Sequence, residues 1–230
     1  MPTLILIPGL LCDRELWSAQ IAALEKCADI VVADITQQPS IPEMAKEILV
    51  NAPERFSLAG FSLGSQVALE IVTTARGRLD RVALLSATRG GLLPATVEAI
   101  RRAMAEVEAG GLDRYLEEAY PTYFAPAGAE DAECKRVFVE MAHRVGARVG
   151  LRQMQALLGI SSPFAGLNEI KCPALIVGGV QDHRTTPAAH RALAQEIPGS
   201  ELVLIDGAAH FTPLENPLEV TQALERWMRR

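Results

Sequence analysis

Six short aliphatic runs punctuate the chain, at residues 4–7, 30–33, 56–59, 82–85, 174–177 and 202–205. They are nearly continuous rather than alternating. A strand with one wet face alternates apolar and polar residues, whereas an unbroken run suits a strand covered on both faces, as in a parallel sheet. Helical spacing fills the gaps. Leu16, Trp17, Ile21, Leu24 and Cys27 share one face, and Met44, Ile48 and Leu49 point inward from a helix over 43–50. Further helices are expected over 63–73, 187–197 and 218–230, the last ending in Arg226, Arg229 and Arg230 at the negative end of its dipole. Strand alternating with helix defines a doubly wound α/β fold with a mostly parallel sheet. The rhythm lapses between residues 90 and 164, where helices alone are expected, joined at Gly110-Gly111, Pro121, Pro126 and Gly128. The organisation read from this is a sheet-based core, 1–89 plus 165–230, interrupted by a helical cap over 90–164.

Composition narrows the class. With 230 residues, 49% hydrophobic and 22% charged, the chain is globular rather than disordered or collagen-like, and long enough to bury a core without disulfides or metal. A net charge of −6 argues against nucleic acid and anionic membrane as partners. Cysteines 12, 27, 134 and 172 form no C-x-x-C pair, so reduced, mostly buried thiols in a cytoplasmic protein are expected. The apolar stretch 4–12 lacks a preceding basic residue and is broken by Pro8-Gly9, unlike a signal peptide. No run approaches the roughly 18 apolar residues of a membrane span.

The most informative motif is Gly60-Phe61-Ser62-Leu63-Gly64, a G-x-S-x-G between an expected strand and an expected helix. A serine on so sharp a turn stands clear of the sheet edge, and glycines on either side remove the side chains that would collide there. A hydroxyl is a weak nucleophile until a base takes its proton, and the base needs an orienting carboxylate. His210 follows the last expected strand and can reach the serine, because parallel strands bring their carboxyl ends to one edge. His143 falls in the helical stretch, and His183 and His190 are read as solvated or locally bonded. Asp182 follows the 174–177 strand, with room for one helix and one strand before His210. Asp206, in the histidine's own loop, and Asp34 are the rival acids. Backbone donors for a developing oxyanion are expected from Leu63, directly after the serine, and from Leu10 in the loop after the first strand.

Taken together, the motifs resemble the α/β-hydrolase superfamily, and specifically its small bacterial esterase-like members with a helical cap. Residues 7–10 are similar to the oxyanion loop, 60–64 to the nucleophile elbow, 178–182 to the acid loop, and 207–211 with Glu215-Asn216-Pro217 to the histidine loop. The chain departs from the common pattern in carrying Pro8-Gly9 in place of His-Gly, and in offering Asp34 to Gln38 where Arg-Gly-His-Gly is usual. It starts at what corresponds to the third strand of that sheet, which implies about six strands. The resemblance implies a Ser62–His210–Asp182 triad cleaving a small-to-medium acyl ester or thioester, with no metal or organic cofactor. A lactonase, C–C bond hydrolase or perhydrolase with the same triad, or a hydrolase-fold receptor, are the rival readings.

The expected cap lies over the serine. Leu11, Tyr120, Tyr123 and Phe124 are candidate substrate contacts, with Tyr115, Leu116, Met141, Met154 and Leu157 nearby. Arg144, Arg148 and Arg152 recur every fourth residue, so one helix face would carry three guanidinium groups. Arg148 is the candidate contact for a substrate carboxylate or for an acidic acyl carrier, although a solvated basic face is the plainer reading. The expected partner is a small-molecule acyl substrate, and the expected assembly a monomer or homodimer.

Overall fold

The computed structural model of the protein describes residues 1–230. Its strands are β1 (Thr3–Ile7), β2 (Asp29–Val32), β3 (Phe56–Phe61), β4 (Leu79–Leu85), β5 (Ala174–Gly179) and β6 (Glu201–Ile205). All pair in parallel, in the order β2-β1-β3-β4-β5-β6. Each aliphatic run therefore becomes a strand, and its two sets of side chains feed two separate cores. Leu4, Leu6, Phe61, Leu85 and Val177 face a layer with α1 (Ser18–Leu24) and α11 (Pro217–Met228). Ile5, Ile7, Leu58, Val82, Leu84 and Ile176 face α2 (Ile41–Asn51), α3 (Leu63–Ala75) and α9 (Pro187–Glu196). The central strands β3 and β5 are buried along their whole length. The 30–33 run, expected to be buried, instead forms an edge strand with Val31 48% exposed, because nothing pairs with its outer side. The opposite edge, β6, is half-buried for the same reason.

Between β4 and β5 lie only helices: α4 (Pro94–Glu108), α5 (Leu112–Tyr123), α6 (Pro126–Glu130), α7 (Ala132–Val145) and α8 (Ala147–Leu158). A bridge between Gly90 and Pro163 closes the two ends of this excursion. Pro121, read as a break, sits inside the last turn of α5. The break that matters falls at Gly146, whose φ of +83° separates α7 from α8. Arg144 is thus not on the same helix as Arg148 and Arg152. Leu49, expected inward on α2, is only half-buried, and Ile41, Met44, Ala45 and Ile48 carry that face. Of the cysteines, Cys12 and Cys134 are buried, Cys172 half-buried and Cys27 exposed; all are free thiols. No helix is long and apolar enough to cross a membrane. A short helix, α10 (Thr212–Glu215), precedes α11.

Candidate active site

Ser62 ends β3 and starts α3 with φ +51° and ψ −111°, a backbone state that side chains rarely adopt. Its neighbours explain how the chain holds it. A Cβ on Gly60 would lie 2.3 Å from the Gly64 carbonyl oxygen, and one on Gly64 would lie 2.3 Å from that of Ile7. Both contacts are with backbone and cannot give way, so only glycine fits on either side. The Ser65 hydroxyl donates to the Gly60 carbonyl at 2.6 Å, and the Ser62 amide donates to Leu85 at 2.9 Å, tying the turn to β3 and β4.

His210 arrives from the loop after β6. Its Nε2 is 2.9 Å from Ser62 Oγ and its Nδ1 2.8 Å from Asp182 Oδ2. Asp182 is 1% exposed, and its other oxygen accepts from the amides of Arg184 (2.8 Å) and Thr185 (2.9 Å). Burial pushes this carboxyl up. The adjacent His210 charge and hydrogen bond, with the Thr185 and Arg184 amides, more than offset that and hold it below the usual carboxylate range. The three residues that sequence placed in separate loops thus meet at the carboxyl edge of the sheet. The rivals lie elsewhere: exposed Asp206 accepts from Gln181 Nε2 at 3.0 Å, and Asp34 caps its own turn through Thr36. The N-cap of α9 is Thr186, whose hydroxyl accepts from the Ala189 amide.

The histidine loop is braced on several sides. Its backbone amide donates to the Tyr123 carbonyl (2.9 Å), and its carbonyl accepts the Ser86 hydroxyl (2.7 Å). Glu215 accepts the Ala209 amide (3.0 Å) and the Ala125 amide (2.7 Å), joining this loop to the end of α5. Phe61 and Tyr123 each place a ring centroid 5.5 Å from the imidazole.

Leu63 opens α3, where first-turn amides have no acceptor inside the helix, and Leu10 lines the same cavity as Ser62. Leu63 lines that cavity too. The loop carrying Leu10 turns through Leu11 at φ +55°, and the Leu11 amide donates to Gln153 Oε1 at 2.9 Å. Gln153 is fully buried on α8, and its Nε2 reaches the Ile35 carbonyl at 3.4 Å. Sequence reasoning missed Gln153, whose partners Leu11 and Ile35 lie more than a hundred residues away.

Two spaces open from Ser62. A small one of about 20 Å³ is lined by Leu10, Leu11, Phe61, Tyr123, Phe138 and Phe211. A large one of about 920 Å³ runs under α4, α5 and α8 and includes Leu63, Gln66, Met154, Leu157 and Arg184. Leu11 and Tyr123 therefore face these spaces, as does Tyr115. Tyr120 and Phe124 do not. The Tyr120 hydroxyl donates to the Gly128 carbonyl at 2.7 Å, and Phe124 stacks on Phe211 at 5.0 Å inside the aromatic core. Leu116 and Met141 are core as well. Arg148 is exposed and lines neither space. Arg144 pairs with Asp13 (2.7 Å) and Glu15, and Arg152 donates to the Thr36 carbonyl. Asp13 and Glu15 are distant in sequence, so the spacing of the arginines gave no hint of these partners. No three His, Cys, Asp or Glu side chains gather as a metal site would need.

This sheet order, elbow and loop arrangement is that of an α/β hydrolase, and residues 4–223 match the Alpha/beta hydrolase family, so the chain belongs to that family of enzymes. Among its relatives, a protein of Agrobacterium fabrum named as a carbamate hydrolase, RutD, is 28% identical over 94% of this chain and 88% of its own length. The pimeloyl-[acyl-carrier protein] methyl ester esterase of Nitrosomonas europaea is 23% identical, covering 94% of this chain and 91% of its own. The solved enol-lactonase from Burkholderia xenovorans superposes with a TM-score of 0.89 at 20% identity, over 100% of this chain and 92% of that one.

Proposed function

We propose that the protein is a serine hydrolase that cleaves a small-to-medium acyl ester or thioester through a covalent acyl-enzyme. The observation that carries this reading is a single buried imidazole bonded at once to Ser62 (2.9 Å) and Asp182 (2.8 Å) on the rim of a substrate-sized cleft. As Ser62 Oγ attacks the carbonyl carbon, His210 Nε2 takes its proton, and Asp182 holds the Nδ1–H tautomer and the charge that forms. The Leu10 and Leu63 amides donate to the oxyanion. The bond to the leaving oxygen or sulfur then breaks, and His210 returns the proton to it. Water attacks the acyl-enzyme, giving its proton to His210, and the acid departs as Ser62 regains its hydrogen. Residues 90–164 act as the cap over the core formed by 1–89 and 165–230. They wall a cleft with unequal arms, a tight one beside Phe138 and Phe211 and a roomy one under α4. Relatives named for ester and carbamate hydrolysis support acyl transfer to water.

The test is labelling by a fluorophosphonate together with burst release from p-nitrophenyl acetate. Both are expected in the wild type and absent in Ser62→Ala. A panel of esters, thioesters, lactones and vinylogous diketones then fixes the bond. Failure of the wild type to label or burst overturns the proposal.

A further inference from the structure

Resting on the serine-hydrolase reading, we infer that Arg184 is the specificity-determining residue of this cleft and that the substrate carries a carboxylate, or a group of like charge, on the arm that occupies the larger space. Arg184 follows Asp182 by two residues, so the loop that supplies the acid also sends a guanidinium into the cavity holding Ser62 and His210. Its guanidinium carbon lies 4.1 Å from the Tyr123 ring centroid, and that ring is 5.5 Å from the imidazole. Tyr123 thus holds the cation over its ring and beside the reacting centre, a cation–π contact that fixes where the guanidinium sits.

What the guanidinium lacks is an acid. It enters no ion pair within the protein; Nη1 reaches Thr122 Oγ1 at a long 3.5 Å, and the Tyr123 side chain is its other polar neighbour. The nearest carboxylate, Asp182, is taken up by His210 and by two backbone amides. The other acids on the cleft wall, Glu106 and Glu118, are both engaged by Arg114 outside it, at 3.7 and 3.1 Å. The other basic residue on the wall, Arg102 of α4, is exposed as Arg184 is, but stacks on no ring. Most of the remaining lining is apolar or neutral, so an anion entering here finds one oriented, unpaired partner. This contrasts with Arg144, whose charge is already answered by Asp13 and Glu15.

Matched probes test this. Mono-p-nitrophenyl glutarate carries the anion on the acyl arm and 3-acetoxypropanoate carries it on the alcohol arm. p-Nitrophenyl pentanoate and propyl acetate are their neutral counterparts. Charge-assisted hydrogen bonds of this kind change affinity by roughly 10- to 100-fold. The wild type is expected to prefer one charged probe over its neutral counterpart in kcat/KM. Arg184→Gln should lose that preference by about 10- to 100-fold, mainly through the KM of the charged probe. Arg184→Lys should recover part of it. Equal charged-to-neutral ratios in wild type and Arg184→Gln overturn the inference while leaving the hydrolase reading intact. Should no probe turn over, calorimetric binding of glutarate to Ser62→Ala and to the Ser62→Ala, Arg184→Gln double variant decides it: binding that survives loss of the guanidinium, or is absent from both, refutes it. Failure of fluorophosphonate labelling would count against the hydrolase reading alone.

Discussion

His190 is fully buried on α9, its Nδ1 bonded to the Thr186 carbonyl at 3.1 Å and its Nε2 without a partner. The ring packs flat on Gly178, where a Cβ would come within 2.3 Å of it. Burial lowers this imidazole from 6.5 to about 4; Asp182 pulls it up and His210 pushes it down, but desolvation dominates. The native state therefore refuses a proton that the unfolded chain accepts. Between pH 6.5 and 4 the unfolded state binds more protons, so stability rises with pH there and is lost on acidification. At about 1.4 kcal/mol per unit, the full span removes roughly 3 kcal/mol below pH 4. The perturbation is His190→Asn, which keeps a donor for Thr186 but cannot titrate. Urea unfolding at pH 7.5 should find the variant less stable by about 1–3 kcal/mol from lost packing. At pH 4.5 the gap should shrink by about 2 kcal/mol or reverse, because only the wild type is penalised. A gap that is constant with pH, or an NMR titration placing this imidazole near 6.5, overturns the account.

Three further outcomes are expected. Asp182→Asn should lower kcat by about 10³- to 10⁴-fold, with labelling of Ser62 slowed in parallel, since an amide favours the wrong imidazole tautomer. Gln153→Leu should release the Leu11 amide and loosen the Leu10 donor, lowering kcat by about 10- to 100-fold while KM moves little; steady-state kinetics on one p-nitrophenyl ester checks it. Phe138→Leu should widen the 20 Å³ space beside Ser62 and raise the kcat/KM ratio of the longer ester by about tenfold for each methylene admitted, measured on a homologous series.

The sheet was legible because burial on both faces forces continuous aliphatic runs, and β1, β3, β4 and β5 sit where those runs fall. The same rule overstated β2, since a run of Ile and Val does not reveal that a strand is at an edge. Ser62, Asp182 and His210 could be read because the elbow and the strand ends fix where such residues must lie, and the coordinates bring all three within hydrogen-bond contact. Side-chain direction was not legible. Tyr120 and Tyr123 are three apart on α5 and share a face, yet only Tyr123 reaches the cleft, because the Gly128 carbonyl of α6 draws the Tyr120 hydroxyl away. The arginine row failed for a local reason, the left-handed Gly146, and a distant one, the acids at 13 and 15. Gln153 and Arg184 gain their meaning only from contacts far along the chain or across the cleft.

Glu215 and the Tyr123 carbonyl clamp the end of α5 to the very loop that carries His210. Any swing of that side of the roof would drag the imidazole off its serine. Of the α4 residues only Val107 is buried, and this helix has no comparable tether to the histidine loop. The α4 wall of the cavity is thus the one whose displacement leaves the histidine loop unpulled.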